Sequence, residues 1–200
     1  MVGGLDRYFQ IAQCFRDEDL RAERQPEFSQ IDIEMSFATQ EQLFPIVEKM
    51  IHHVFEKALG TSIPIPFKRM THAECLEYYG TDKPDLRFDM KFVRLEDIAK
   101  NTEFQVFQTI LADNGVVKGF CVKGGAKISR KEIDQYTTFC AQLGAQGLIW
   151  LKKSDGKLSS SIAKYIPEND HHHWFERLNV EDGDCAFIIA GSLKKTNQVL

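Results

Sequence analysis

The chain begins with an alternation of period two. Over residues 7–16, RYFQIAQCFR, it puts Tyr8, Gln10, Ala12, Cys14 and Arg16 on one face and Phe9, Ile11, Gln13 and Phe15 on the other, which predicts a strand. Residues 17–26 are dense in charge and end at Pro26, the composition of a solvated loop. Alternation resumes over residues 27–36, with Phe28, Gln30, Asp32 and Glu34 on one face and Ile31, Ile33 and Met35 on the other. The two segments predict a long antiparallel hairpin.

The period then lengthens. Thr39 and Gln42 form a capping-box pair, and Leu43, Ile46, Val47, Met50, Ile51, Val54 and Ala58 recur at helical spacing up to Gly60, a C-terminal stop. Pro45 removes one early hydrogen bond, which predicts an irregular first turn. SIPIPFKRM reads as extended, Thr71 with Glu74 caps a shorter helix ending near Gly80, and GTDKPDLRF reads as a loop or linker. Beyond Asp89 the elements are short and mixed. They comprise a helix over residues 95–100, a strand in GVVKGFCVKG and a helix capped by Ser129 and Glu132 that stops at Gly144. A strand GLIWLKK, a polar stretch DGKLSSS, a helix over 170–178, a strand CAFIIAG and a helical start in the tail complete the pattern. The expected fold class is α+β, with one domain over residues 1–88 and a second over 89–190.

Two hundred residues suffice for one domain or two small ones, and 43% hydrophobic with 27% charged residues excludes a disordered or fibrous chain. No apolar run reaches the ~18 residues of a membrane span, so no membrane association is expected. The formal charge of −4 divides into −5 over residues 1–88 and +1 over 89–200, which excludes a strongly basic non-specific nucleic-acid binder. Cys14, Cys75, Cys121, Cys140 and Cys185 form no C-x-x-C pair and are expected to be reduced, buried thiols of a cytoplasmic protein. The first residues lack the pattern of a targeting segment and read like the interior of a domain, and the tail breaks off in mid-helix. Both observations suggest a piece of a longer chain.

The chemistry concentrates in FRDEDLRAERQPEFSQIDIE, residues 15–34. Arg16 offers a fork of donors suited to phosphate or carboxylate, Phe28 a face for a flat ring, and Gln30, Asp32 and Glu34 a polar row able to receive an ammonium group. A polar sheet face with internal ion pairs is the alternative these residue types leave open.

Residues 4–37, GLDRYFQIAQCFRDEDLRAERQPEFSQIDIEMSF, resemble motif 2 of the class II aminoacyl-tRNA synthetases in its bacterial aspartyl form. F-R-D-E-D-L-R followed by R-Q-P-E-F and Q-I-D-I-E is the specific part. GTDKPDLRF resembles the junction to the insertion domain of those enzymes. VKGGAKISRKEIDQYTTF with GAQGL resembles the insertion domain itself, a module also found in a tRNA-dependent amidotransferase subunit.

The resemblance implies that residues 1–88 are part of a class II catalytic sheet and 89–190 its insertion domain, with 191–200 returning to the first domain. It implies ATP as substrate together with Mg²⁺, L-aspartate and tRNA as partners, and a homodimer for the complete enzyme. Arg16 would bridge the ATP α-phosphate and the aspartate carboxylate; Asp17, Glu18 and Gln25 would contact ATP and Phe28 would stack on adenine. Gln30, Asp32 and Glu34 would shape the amino-acid end, and residues 17–24 would touch the tRNA acceptor end. The anticodon-binding barrel, motif 1 and motif 3 are absent from this sequence, so no metal ligands are assigned. A competing reading makes the chain a non-catalytic module whose insertion domain docks tRNA or a partner.

Three further features read as ordinary structure. His171, His172 and His173 fit a solvated surface run, His52 and His53 fit a helix with one ring toward solvent and one on its flank, and GGAK fits a turn, since the phosphate-loop spacing is missing.

Overall fold

Strand β1 (Arg7–Phe15) pairs antiparallel with β2 (Glu27–Met35), in a register running from Arg7 opposite Met35 to Phe15 opposite Glu27. The Arg16 N–H donates to the Pro26 carbonyl at 2.9 Å and carries the ladder one step past the strands. The structure is a computed structural model that describes residues 1–19, 21–22 and 24–200, and it divides into two compact units, Met1–Arg69 and Met70–Leu200. The helix after Gly60 thus belongs to the second unit.

In the first unit the hairpin is followed by helix α1 (Gln40–Leu59), where the Thr39 N–H donates to Gln42 Oε1 at 3.0 Å and Gly60 ends the helix at φ 64°. The irregular turn expected at Pro45 is absent, and the helix is continuous through it. Proline's fixed φ is itself helical, so only one donor is lost near the N-terminus. Residues 61–69 fold back along α1. Glu48 Oε1 accepts from the Phe67 N–H at 3.0 Å and meets Arg69 Nη1 at 2.5 Å, while the Arg69 guanidinium lies 4.2 Å from the Phe44 ring centroid. His52 is half-buried with Nδ1 2.6 Å from the Ile63 carbonyl oxygen, and His53 is exposed. Among the described residues of this unit only Glu48 is buried. The apolar hairpin face therefore stays open, forming with Ile46 and Met50 a groove of about 600 Å³ in which Phe9 is 72% and Ile11 67% exposed.

The second unit opens with α2 (His72–Tyr79), capped by Thr71 and Glu74. Then follow β3 (Val93–Arg94), α3 (Glu96–Ala99), α4 (Gln105–Ala112), β4 (Val116–Val122), α5 (Arg130–Gln142), β5 (Ile149–Ser154), β6 (Lys157–Ser160), α6 (His171–Leu178), β7 (Cys185–Gly191) and α7 (Leu193–Val199). The five strands form one antiparallel sheet in the order β3-β4-β7-β5-β6. One sheet face packs on α3, α4 and α6 through Leu95, Phe107, Val117, Leu151, Trp174, Leu178 and Ile188. The other carries α5 and α7, with Ile133, Cys185 and Phe187 in one cluster and Cys140, Ile189 and Val199 in the next. Because both faces are covered, β7 reads as a continuous apolar run rather than an alternation.

Three elements depart from the pattern expected of the sequence, the shortest being the two-residue strand β3, held by its pairing to β4. Helix α4, whose start at Phe104 carries no side-chain cap, was not anticipated. The polar stretch after β5 contains β6, an edge strand held by its ladder to β5. Both sheets are antiparallel and both units carry helices, so the chain is α+β, as expected.

Candidate active site

The hairpin register brings the two predicted polar rows onto one face. Tyr8, Gln10, Ala12 and Cys14 stand opposite Glu34, Asp32, Gln30 and Phe28. Two cross-strand bonds hold this face: Gln10 Nε2 donates to Asp32 Oδ2 at 3.2 Å, and the Cys14 thiol to Gln30 Oε1 at 3.4 Å. Gln13 and Glu27 bond to each other on the opposite face. Gln10 and Cys14 are site-face residues that the sequence pattern placed beside Arg16 without linking them to Asp32 and Gln30. The signal was present in the summed alternation of the two strands.

Arg16 leaves the end of β1 with its guanidinium carbon 5.1 Å from the Phe28 ring centroid, and its side chain is 57% exposed. Glu18 sits between two guanidinium groups, at 3.9 Å from Arg16 Nη1 and 3.7 Å from Arg24 Nη1. The loop tightens where the Arg24 N–H donates to the Arg21 carbonyl at 3.1 Å. Asp17 and Gln25 are exposed. Leu20 and Glu23, within the segment expected to touch the tRNA end, lie outside the described residues.

From Phe28 to Glu34 the face extends about 20 Å at strand rise. With Arg16 just beyond Phe28, the face offers a forked cation over a ring surface at one end, then an amide, then two carboxylates. A planar base on Phe28, an anion at Arg16 and an ammonium group near Asp32 and Glu34 fit that order. Such a face can align two anions and offset charge growing on one of them, with no protein nucleophile.

Among the described residues no group of three or more His, Cys, Asp or Glu side chains is arranged to hold a metal ion. The three histidines fall in the first turn of α6, where His171 Nε2 lies 3.3 Å from the Ile166 carbonyl oxygen and His173 Nδ1 3.5 Å from Asp170. GGAK is a turn whose Gly124 N–H donates to Asp184 Oδ1 at 2.8 Å, so the protein's own carboxylate occupies that donor.

Two polar centres in the second unit had no counterpart in the sequence pattern. Asp184 is buried; burial raises its pKa, but the N–H groups of Glu181 and Gly124 and the Lys123 ammonium outweigh that and hold it below the usual range. Lys118, on β4, is fully buried; its Nζ donates to the Glu77 carbonyl at 2.8 Å and to Asn197 Oδ1 at 3.2 Å, with the Glu77 carboxylate at 3.3 Å. Burial pulls the Lys118 pKa down, and the hydrogen bond from Arg94 lowers that of Glu77. Asn197 Nδ2 also donates to the Leu76 carbonyl at 3.2 Å, so α2 and α7 are tied to each other and to β4. Gly80, at φ 69°, sits so close to α7 that a Cβ there would lie 2.6 Å from the Asn197 carbonyl oxygen.

The sequence matches the family described as tRNA synthetases class II (D, K and N) over residues 1–190. Aspartate–tRNA(Asp/Asn) ligase of Protochlamydia amoebophila is 55% identical over 200 residues, covering all of this chain and 33% of that relative. The proteins of the same name from Chlamydia muridarum and Chlamydia pneumoniae are 54% and 52% identical, again over the whole chain and 34% of their own length. The chain thus spans about a third of the curated relatives it matches.

Proposed function

The chain belongs to the class II tRNA synthetases (D, K and N), and we propose that its first unit forms one wall of an aspartate-activating site. In this reading the aspartate carboxylate attacks the α-phosphate of ATP, releasing pyrophosphate and leaving aspartyl-adenylate. The terminal ribose hydroxyl of tRNA then takes the aspartyl group and AMP departs. Arg16 holds the carboxylate and the phosphate together and offsets the charge that builds on the phosphate as the bond forms. Phe28 stacks on adenine, Asp17, Glu18 and Gln25 contact the nucleotide, and Gln30, Asp32 and Glu34 receive the ammonium end of aspartate.

ATP brings Mg²⁺, which shields its phosphates, and no residue of this chain is assigned to hold the ion. The names of the relatives support both aspartate and asparagine tRNA as acceptors. The complete enzyme is proposed to act as a cytoplasmic homodimer, with residues 89–190 as its insertion domain. No described helix is long and apolar enough to cross a membrane.

The observation that carries this reading is the Arg16 guanidinium over Phe28 on the face that also bears Gln30, Asp32 and Glu34. In the complete enzyme, Arg16→Ala should lower aspartate-dependent ATP–pyrophosphate exchange by at least ~100-fold, the scale of losing one transition-state donor. Arg16→Lys should be poor as well, since a point charge cannot bridge two anions as a fork does. Near-normal exchange in Arg16→Ala would sink the assignment.

A further inference from the structure

Asp32 and Glu34 lie two residues apart on the site face of β2, and among the described residues neither has a lysine, arginine or histidine within ion-pairing distance. By contrast Glu18 meets Arg16 and Arg24, and Glu48 meets Arg69. Two carboxylates left without a counter-charge on one face suit a cationic group arriving from outside.

Gln10, on β1, stands directly opposite Asp32, and its Nε2 donates to Asp32 Oδ2 at 3.2 Å. No protein donor among the described residues reaches Oδ1. The last side-chain torsion of an aspartate is broad, so an unheld carboxylate turns readily; one donor on one oxygen narrows that rotation and leaves the second oxygen open to a ligand. The donor is also neutral. A lysine or arginine at this position would cancel the charge that draws a cation, and a carboxylate would repel Asp32, whereas an amide orients without cancelling. Its neighbours on this face of β1, Tyr8 and Ala12, stand opposite Glu34 and Gln30 and make no such bond among the described residues.

We propose that Gln10 is a positioning residue, whose amide holds the Asp32 carboxylate in the orientation that receives an ammonium group. The inference deepens the proposed function and rests on its assignment of Asp32. The same strand carries a matched comparison: Gln13 bonds Glu27 across the same ladder, but on the opposite face. Loss of either glutamine removes one amide–carboxylate bond between the strands, and only Gln10 is beside the proposed ammonium position.

The test is aspartate-dependent ATP–pyrophosphate exchange by the complete enzyme, with KM measured separately for aspartate and ATP. Gln10→Met keeps the length of the side chain and removes the donor. It should raise the aspartate KM at least about fivefold, somewhat less than a fully buried hydrogen bond to a charged group would give, because the pair is exposed. The ATP KM and kcat should stay within about threefold, the pattern of lost ground-state binding. Gln10→Glu, of the same shape but with an acceptor facing Asp32, should raise the aspartate KM at least as much. Gln13→Met should leave every constant within about twofold of the parent, as for other exposed substitutions. In an Asp32→Ala background, itself raised in aspartate KM, Gln10→Met should add less than about twofold, because its effect passes through the missing carboxylate. Equal rises for Gln10→Met and Gln13→Met would trace the effect to strand pairing and overturn the inference. An undiminished effect in the Asp32→Ala background would overturn it by making Gln10 a direct contact. An unchanged aspartate KM in Gln10→Met, with Asp32→Ala impaired, would sink this inference alone; an unchanged aspartate KM in Asp32→Ala would sink the ammonium assignment in the proposed function as well.

Discussion

Replacing Glu77 by Ala tests how the second unit is held together. The variant keeps the main-chain carbonyl that Lys118 reaches at 2.8 Å and the Asn197 amide at 3.2 Å, but removes the carboxylate at 3.3 Å. It also strips Arg94 of a partner that it meets at 2.6 and 3.2 Å. Removing one partner of a fully buried charge pair costs about 3–5 kcal/mol. Here the Glu77 side chain is 36% exposed and the ammonium retains two neutral acceptors, so screening brings the expected loss to about 2 kcal/mol. Lys118→Met removes the charge and keeps an apolar stem near Phe92; alone it should cost under about 1 kcal/mol, and with Glu77→Ala it should recover at least about 1 kcal/mol relative to additivity. Urea unfolding followed by tryptophan fluorescence reads this unit specifically, because both tryptophans, Trp150 and Trp174, lie within Met70–Leu200. A loss below about 0.5 kcal/mol for Glu77→Ala, or additivity in the double variant, would refute the account of Lys118 as a charge that depends on α2.

Excision along the compact unit should matter: residues 70–200 should unfold at higher urea than residues 89–190, which lack Glu77, Asn197 and Val199, and equal midpoints would contradict the ties between α2, β4 and α7. Glu77 and Asp184 both have lowered pKa values, so the stability they lend is present above the unfolded values of 4.5 and 3.8 and is lost as pH falls through the folded ones. Glu77→Gln should accordingly flatten the fall in urea midpoint between pH 5 and pH 3. Iodoacetamide at pH 8 should label half-buried Cys14 well before Cys185, whose thiol is buried and pushed up to about 11; similar rates would place Cys185 outside the core. Calorimetry on the 200-residue chain should find ATP binding no tighter than about millimolar, because one ring contact and one fork must offset the whole cost of immobilising the nucleotide. Micromolar affinity would mean that the hairpin alone forms a fuller site.

What the sequence disclosed tracks how local the cause is. Helix α1 could be read from Thr39 and Gln42 to Gly60 because its start, stripe and stop all lie in the segment itself. The same holds for α2 and for α5, whose Ser129 and Glu132 cap one another. Helix α4 lacks such a cap and β6 lacks apolar alternation, and each depends on tertiary neighbours for its state. The candidate site was legible in its faces, since alternation alone aligns Phe28, Gln30, Asp32 and Glu34. The hold of Glu18 on both Arg16 and Arg24 was not, because it arises from the path of the loop. Lys118 was invisible for the opposite reason. In GVVKGFCV a lysine looks like the wet position of a strand, and only the arrival of α2 and α7 makes it dry.

The sheet order carries a consequence for synthesis on the ribosome. Strand β7, the last of the five to be made, lies in the middle, joined to β4 on one side and β5 on the other. Until it emerges, β4 and β5 each expose an unpaired edge, and the apolar faces of both lack the Ile188 and Phe187 that complete their clusters. The nascent unit therefore passes through a stage with two adhesive edges and only the separate β3–β4 and β5–β6 pairs, a stage that ends only when the chain has been extended through residues 185–191. Slow codons or a translational pause just upstream of Cys185 would prolong exposure to aggregation and chaperone capture, whereas a pause downstream of Gly191 would give the sheet time to close.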